Sequence, residues 1–347
     1  MSARAVPGSH ESRAVTFLVD STMYGPGYAP PRGVYGDLER VVRTDLYYHY
    51  STFVCAQRWL DVCADPGYGH GALLDRVSRV MPQVARALRA DSGAKGRVAL
   101  CSLGPGDGTV DERMLRGLSS TFELASYTGL DFSFELLRRT MNRLAGASGL
   151  PGDLPLRAIC GDFTGMESFP VGEGDPETVR LFALTGFTFG NYPEASLLER
   201  IGGLMGRGDY LFLDARLHGF GPLPADVPAL ARDPKDLLAS YDLESVRRFV
   251  FGPVEVATLA TASDVEIGFE LARSLTSVPN ALNLVIYCAG LDTQLRLTGE
   301  RVLRDRLDLA VTTSYHFPDL SPWFAGTGFA TVWHATAADT AFFLLRR

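Results

Sequence analysis

The stretch VALCSLGPGDGTVDERML from Val98 to Leu115 reads as an apolar strand, a glycine turn and a helix, and YTGLD follows as a second strand ending at Asp131. That is one βαβ unit shaped to hold a nucleoside. Gly104, Gly106 and Gly108 permit a tight turn and a close backbone approach to a ligand. The helix that starts near Thr109 points its free N–H groups at the same spot. Asp131, at the carboxyl end of the next strand, is placed to accept both hydroxyls of a ribose.

The spacing distinguishes between nucleosides. A dinucleotide-binding turn runs glycine, any, glycine, any, any, glycine, because its helix must approach a pyrophosphate. Here the turn is Gly104-Pro105-Gly106-Asp107-Gly108, with an acid inside it. A carboxylate is repelled by pyrophosphate and attracted by a ligand carrying an ammonium and a sulfonium. S-adenosylmethionine therefore fits this turn better than NAD.

Later segments resemble the order of a class I methyltransferase. GDF at Gly161–Phe163 follows the short strand Leu156–Cys160, LFALTGFTFGNYP spans Leu181–Pro193, and DYLFLD spans Asp209–Asp214 after the helix-and-turn run LLERIGGLMGRG. In such enzymes the acid after the third strand, here Asp162, meets the adenine amino group, and an apolar neighbour, here Phe163, covers the ring. A helix-like Leu320–Thr327 then precedes the β-rich runs FATVWHA and TAFFLLRR. The expected fold is α/β: a Rossmann-like class I methyltransferase sheet of seven strands, the last antiparallel, with an inserted α+β substrate subdomain.

Charge and composition exclude other classes. The formal net charge is −7, only Lys95 and Lys235 are lysines, and the arginines form no run interleaved with aromatics, so no nucleic-acid partner is expected. No apolar stretch reaches membrane-spanning length and the start lacks a signal-peptide core, so a cytoplasmic protein with no membrane partner is expected. Cys55, Cys63, Cys101, Cys160 and Cys288 form no CxxC pair, and the histidines lack metal-ligand spacing. Buried thiols and no metal are the expectation. The partner expected is a small-molecule substrate, and the chain a monomer or homodimer.

Four regions follow from the punctuation of the chain. Residues 1–64 read as an N-terminal lid and helical part of a substrate subdomain: about fourteen residues without pattern, then the Gly/Pro/Tyr-rich Thr16–Gly36, then a helical Asp37–Ala64. Residues 65–217 form the donor-binding core, with a helix over Leu73–Ala90. Residues 218–312 form the inserted substrate subdomain, with a helix over Pro234–Val250 and strand-like runs at Glu266–Ser277 and Leu284–Thr298. Residues 313–347 return to the core as its last helix and antiparallel strands.

Beyond this general order, the chain resembles the bacterial histidine-specific methyltransferases that make trimethylhistidine for ergothioneine. The resemblance spans roughly residues 38–347 and is carried by TGFTFGNYP, LLASYD at Leu237–Asp242, the Gly299-Glu300 turn, VTTSYHF at Val311–Phe317, the closing GFATVWHA…FFLLRR, and the Tyr47-Tyr48 pair. It implies that Asn191 holds an amino-acid substrate's polar groups, that Tyr241 and one of Tyr47 and Tyr48 contact the substrate, and that Ser314 matches a family serine. Three positions depart from the pattern, one of them near Glu112, where a basic residue common in the glycine turn's helix is replaced. Thr312 stands where the family has a Glu for the imidazole, and His316 where it has a Lys.

The donor set expected is Gly104, Gly106, Asp107, Gly108, Asp131, Ser133, Asp162, Phe163 and Gly186. The acceptor set is Asn191, Tyr28, Tyr47, Tyr48, Tyr192, Phe187, Thr312 and Ser314, with Tyr24, Tyr241 and His316 as candidates for catalysis. Several of these have a plainer reading: Tyr241 as helix core, Tyr24 and Tyr28 as loop anchors, His316 as a surface histidine, and Tyr192 and Phe187 as core. An imidazole is the side chain that most often serves as a general base, which makes His316 a candidate. The acceptor expected is a small heteroaromatic or amino-acid-derived molecule of natural-product biosynthesis, an indole included, methylated on carbon or nitrogen. Histidine Nα-methylation, and a cyclisation of the donor that releases methylthioadenosine, are the alternatives. With Thr312 in place of Glu, free histidine should be methylated poorly and Thr312→Glu should tighten imidazole binding. Efficient trimethylation of histidine by the unmodified chain, followed by mass spectrometry, would contradict this.

Overall fold

The computed structural model describes residues 15–19, 50, 52–93, 95–164, 166, 169, 175, 177–219, 238–272 and 276–347. The core elements run β1 (Val15–Val19), α1 (Phe53–Ala64), α2 (His70–Ser92), β2 (Arg97–Leu103), α3 (Thr109–Leu118), β3 (Glu123–Asp131), α4 (Phe134–Gly146), β4 (Leu156–Cys160), β5 (Thr178–Leu184), α5 (Glu194–Leu204) and β6 (Tyr210–Arg216). After them come α6 (Glu244–Val250), α7 (Gly252–Ala257), β7 (Glu266–Ala272), β8 (Leu282–Gln294), β9 (Arg301–Ser314), α8 (Phe317–Ala325), β10 (Ala330–Ala337) and β11 (Thr340–Arg346).

The main sheet has the order β1-β4-β3-β2-β5-β6-β11-β10. Strands β1 to β6 are parallel, and β11 runs antiparallel between β6 and β10. Helices cover both faces, which is why the central strands are buried almost throughout instead of alternating with polar residues. β11 shows this directly. Phe342 and Leu344 pack into a core with α2, α3 and α4, whereas Ala341, Phe343 and Leu345 pack into a second core with α5 and α8. Strand order reverses at β2, between β3 and β5, and the crevice at that switch point is where an open α/β sheet receives ligands.

The expected seven-stranded sheet with its antiparallel last strand is present, with one strand more. VTFLV lies in register on the free edge of β4, from Val15 opposite Leu156 to Val19 opposite Cys160. Thr16 thus begins no lid. A five-residue β-branched and aromatic run ahead of the glycines pairs with the open edge of the sheet. Tyr24, Tyr28, Tyr47 and Tyr48 lie outside the described residues. Among the described residues, no helix is long and apolar enough to cross a membrane.

Between β6 and α8 stands a separate antiparallel sheet, β7-β8-β9. It packs with α6, α7 and the Trp59–Val62 part of α1 as a third core. Two strands were expected there, and β9 is the additional one. Its sequence RVLRDRLDLAVTTS alternates apolar with charged residues, and only one face is buried over its first half. The expected helix over Pro234–Val250 is, in its described part, the short α6, followed by α7 with Pro253 in its first turn.

Gly108 ties the glycine turn to this architecture. It caps α3 at φ +76°, and a Cβ there would stand 2.9 Å from the backbone of Thr140 in α4. Gly108→Ala should therefore cost about 2–4 kcal/mol, combining left-handed backbone strain with displacement of α4. Urea denaturation with an unchanged m-value would show it, and an unaltered midpoint would contradict this packing.

Candidate active site

The turn after β2 is closed by Gly104 N–H, which donates to the Leu130 carbonyl at 2.8 Å. Gly104 and Gly106 both have positive φ, with no neighbouring atom within 4 Å of a Cβ at Gly104 and only Trp59 Nε1 near one at Gly106. These two glycines leave the turn open toward a cleft of about 780 Å³. The Asp107 carboxylate accepts from Thr109 N at 3.0 Å and Oγ1 at 2.6 Å, and from Arg143 Nη2 at 3.1 Å. It thus holds the start of α3 while also lining the cleft.

Asp131 is buried and accepts from Ser133 N at 2.8 Å and from the Gly106 backbone. Burial outweighs those hydrogen bonds and pushes its carboxyl up to about 7. Phe163 and Tyr192 meet edge to face at 6.0 Å on the same cleft. Asp162 accepts from Thr164 N and Oγ1 at 2.8 and 2.7 Å, which fixes the loop leading into Phe163.

A second cleft of about 550 Å³ adjoins the first and shares Tyr50, Trp59, Gly186 and Asn191 with it. The wall between them is the turn after β5. Gly186 and Phe187 both have positive φ, at 78° and 62°, a conformation that costs a phenylalanine about 1 kcal/mol or more. Asp214, fully buried at the end of β6, holds both: its carboxylate accepts from Gly186 N at 3.0 Å and Phe187 N at 2.7 Å. Burial raises the Asp214 carboxyl to about 6. Asn191 follows in a 3-10 turn over Thr188–Asn191, pressed so close to β9 that a Cβ on Gly190 would lie 2.6 Å from the Thr313 carbonyl oxygen.

The second cleft is aromatic. Tyr50, Trp59 and Phe249 pack with ring centroids 5.2–5.6 Å apart. Tyr68, Tyr241, Phe187 and Thr312 also line it, with the Tyr241 hydroxyl 3.5 Å from Thr312 Oγ1. No acid, lysine, arginine or histidine is among its described lining residues. Behind the rings lies the buried Arg216 guanidinium, 4.5 Å from the Phe187 centroid, 5.0 Å from Tyr241 and 6.0 Å from Tyr68.

The structure sets Gly104, Gly106, Asp107, Asp131, Phe163, Gly186, Asn191 and Tyr192 around the first cleft, and Gly186, Phe187, Asn191, Tyr241 and Thr312 around the second. Gly108, Ser133, Asp162, Ser314 and His316 line neither. Ser133 caps α4, its Oγ accepting from Leu136 N. Ser314 is buried where β9 pairs with Leu282 of β8. His316 precedes α8, with Nδ1 2.7 Å from the Asp319 carboxylate and its ring stacked on His218. Its position serves that helix start, away from both clefts. Sequence reading missed Tyr50, Trp59, Tyr68 and Phe249, whose aromatic character alone looks like core, and Asp214, visible only as the acid closing DYLFLD.

No family model matches the sequence, and no curated protein matches it. Among solved structures it is similar to the glycopeptide N-methyltransferase MtfA complexed with S-adenosyl-L-methionine, at 13% identity over 76% of this chain and 86% of that one, TM-score 0.37. The plantazolicin methyltransferase BpumL in complex with SAH is 15% identical over 70% and 82%, TM-score 0.38. An S-adenosylmethionine dependent methyltransferase from Mesorhizobium loti is 13% identical over 76% and 96%, TM-score 0.34. Likenesses this distant decide nothing about activity.

The raised carboxyls have a measurable consequence for stability. Folded Asp131, near 7 against an ordinary 3.8, keeps a proton across a range where the unfolded chain has released it. Its contribution to stability is thus fully present below the unfolded value and is lost as pH rises through about 7. Asp131→Asn keeps an acceptor for Ser133 N and removes the titration. Between about pH 5 and 8 the variant should lose less stability than the parent in urea denaturation, and identical pH slopes would contradict the burial argument.

Proposed function

We propose that the chain is an S-adenosylmethionine-dependent methyltransferase acting on a small heteroaromatic or amino-acid-derived acceptor. The observation that carries this reading is the pair of adjoining clefts. One has the open glycine turn and a buried acid at the end of the next strand, the other an aromatic lining, and Gly186 and Asn191 stand at their common wall.

The residues of the first cleft fit the donor. Gly104 and Gly106 leave room for its amino-acid end against the turn, with the Asp107 carboxylate facing the ammonium. Asp131, once ionised, accepts from the ribose hydroxyls. Phe163 and Tyr192 flank the adenine. When bound, the donor supplies a methyl group activated on a positively charged sulfur. Tyr50 and Trp59, which face both clefts, offer ring faces to that charge, a contact worth about 0.5–2 kcal/mol.

In the second cleft the protein contributes alignment and exclusion of water, which for a displacement of this kind removes several kcal/mol of barrier. Asn191 meets polar groups of the acceptor at the wall, and the aromatic rings hold a flat acceptor body. With no carboxylate, lysine, arginine or histidine among the described residues of that lining, an amine acceptor arrives unprotonated. Where a ring proton has to leave, Tyr241 is a candidate relay, its hydroxyl taking that proton while giving its own to water or to Thr312 Oγ1, 3.5 Å away. Arg216 sets a positive charge 5.0 Å from its ring.

Mass spectrometry of turnover with the donor and a panel of amino acids and indoles tests the reaction. Transfer requires S-adenosylhomocysteine together with a methylated acceptor, and methylthioadenosine with no added methyl would contradict it. In calorimetry, Asp131→Ala should weaken S-adenosylhomocysteine binding by about 1.5–3 kcal/mol, the range for hydrogen bonds to a charged group. Tight NADH binding with none of S-adenosylhomocysteine would overturn the donor assignment.

A further inference from the structure

His70 is the first residue of α2, reached through a tight turn at Pro66–Tyr68 and Gly69 at φ 83°. His70 lines the first cleft, and its Nε2 is buried with no hydrogen-bond partner among the described residues. A buried ring nitrogen left unmatched is unfavourable, so a partner supplied by a ligand would relieve the cost. Burial also lowers the imidazole's pKa, which favours the neutral ring. A neutral imidazole can carry its single proton on Nε2 and donate there.

The position of His70 selects one end of the donor. His70 lines the cleft together with Asp107 of the glycine turn, and Asp107 and Arg143 of α4 lie near enough to act on its charge. It therefore stands where the donor's amino-acid end would lie. That end bears an ammonium beside a carboxylate. Asp107 suits the ammonium, but the carboxylate needs a donor, and no Lys or Arg is among the described residues lining this cleft. Arg143 is engaged with the Asp107 backbone and carboxylate and lies 3.7 Å from Glu112.

We propose that His70 Nε2 donates a hydrogen bond to the carboxylate of the donor's methionyl group, so that His70 is the residue by which this site distinguishes an intact amino-acid chain from a truncated one. This rests on the donor assignment above.

Calorimetry with two ligands separates the possibilities: S-adenosylhomocysteine, which has the amino-acid end, and 5′-methylthioadenosine, which lacks it. His70→Ala should weaken S-adenosylhomocysteine roughly tenfold or more, the scale of a hydrogen bond to a charged group, while leaving 5′-methylthioadenosine within about twofold. His70→Gln, which keeps an N–H donor of similar reach, should restore part of the loss. Unchanged S-adenosylhomocysteine affinity in the Ala variant, equal losses for both ligands in both variants, or no recovery in the Gln variant would overturn the role of His70. Failure of the parent protein to bind either ligand would instead overturn the donor assignment on which it rests.

Discussion

The fully buried carboxylate of Asp214 determines the shape of both clefts. It stands at the carboxyl end of β6 and accepts the N–H groups of Gly186 and Phe187, which leave β5 in the left-handed region. Without two acceptor oxygens at that place, the turn would bury two unpaired N–H groups and a strained phenylalanine, each unfavourable by itself. With them, the chain folds back sharply and Asn191 arrives at the wall between the clefts. Phe187 is turned over Arg216, whose charge lies close to the aromatic lining on the other side. One hydrogen-bonded turn thus separates the two compartments and joins them through a shared edge.

The glycine turn uses the same principle with different parts. Asp131 holds the Gly106 and Ser133 backbone, Asp107 holds the start of α3, and Gly108 lets α4 approach. Of the three turn glycines, the first two open the cleft and the third serves packing. The acids there and at Asp214 are kept in place by backbone N–H groups, so the turns around the clefts are ordered by the protein itself. Burial of Asp131 makes its charge depend on conditions near neutrality, and a ligand that donates to it favours the ionised form.

Features encoded over a few residues were legible in the sequence. The GPGDG turn, the acid ending β3 and the GNYP turn after β5 are short local patterns, the first with glycines that its positive φ angles require, and the alternation of strands and helices around them pointed to the sheet. Features that depend on distant packing were not. Tyr50, Trp59 and Tyr68 come to the clefts because α1 and the turn after it dock on α6 and the inserted sheet, and an aromatic on a helix carries no mark of which side it will face. β9 was hidden by its arginines and aspartates, which occupy a solvent-facing side. His316 suggested a base by its chemistry alone, whereas its place was decided by the helix that follows and by Asp319.

The central claim is that a nucleoside donor occupies the glycine-turn cleft with its reactive centre at the wall shared with the aromatic cleft. A crystal structure with S-adenosylhomocysteine tests this most directly. The account predicts ribose hydroxyls within hydrogen-bonding distance of Asp131, adenine packed against Phe163 and Tyr192, and the sulfur facing the opening bounded by Gly186, Asn191, Tyr50 and Trp59. Density for the ligand in the aromatic cleft, or with its sulfur directed away from that opening, would contradict it.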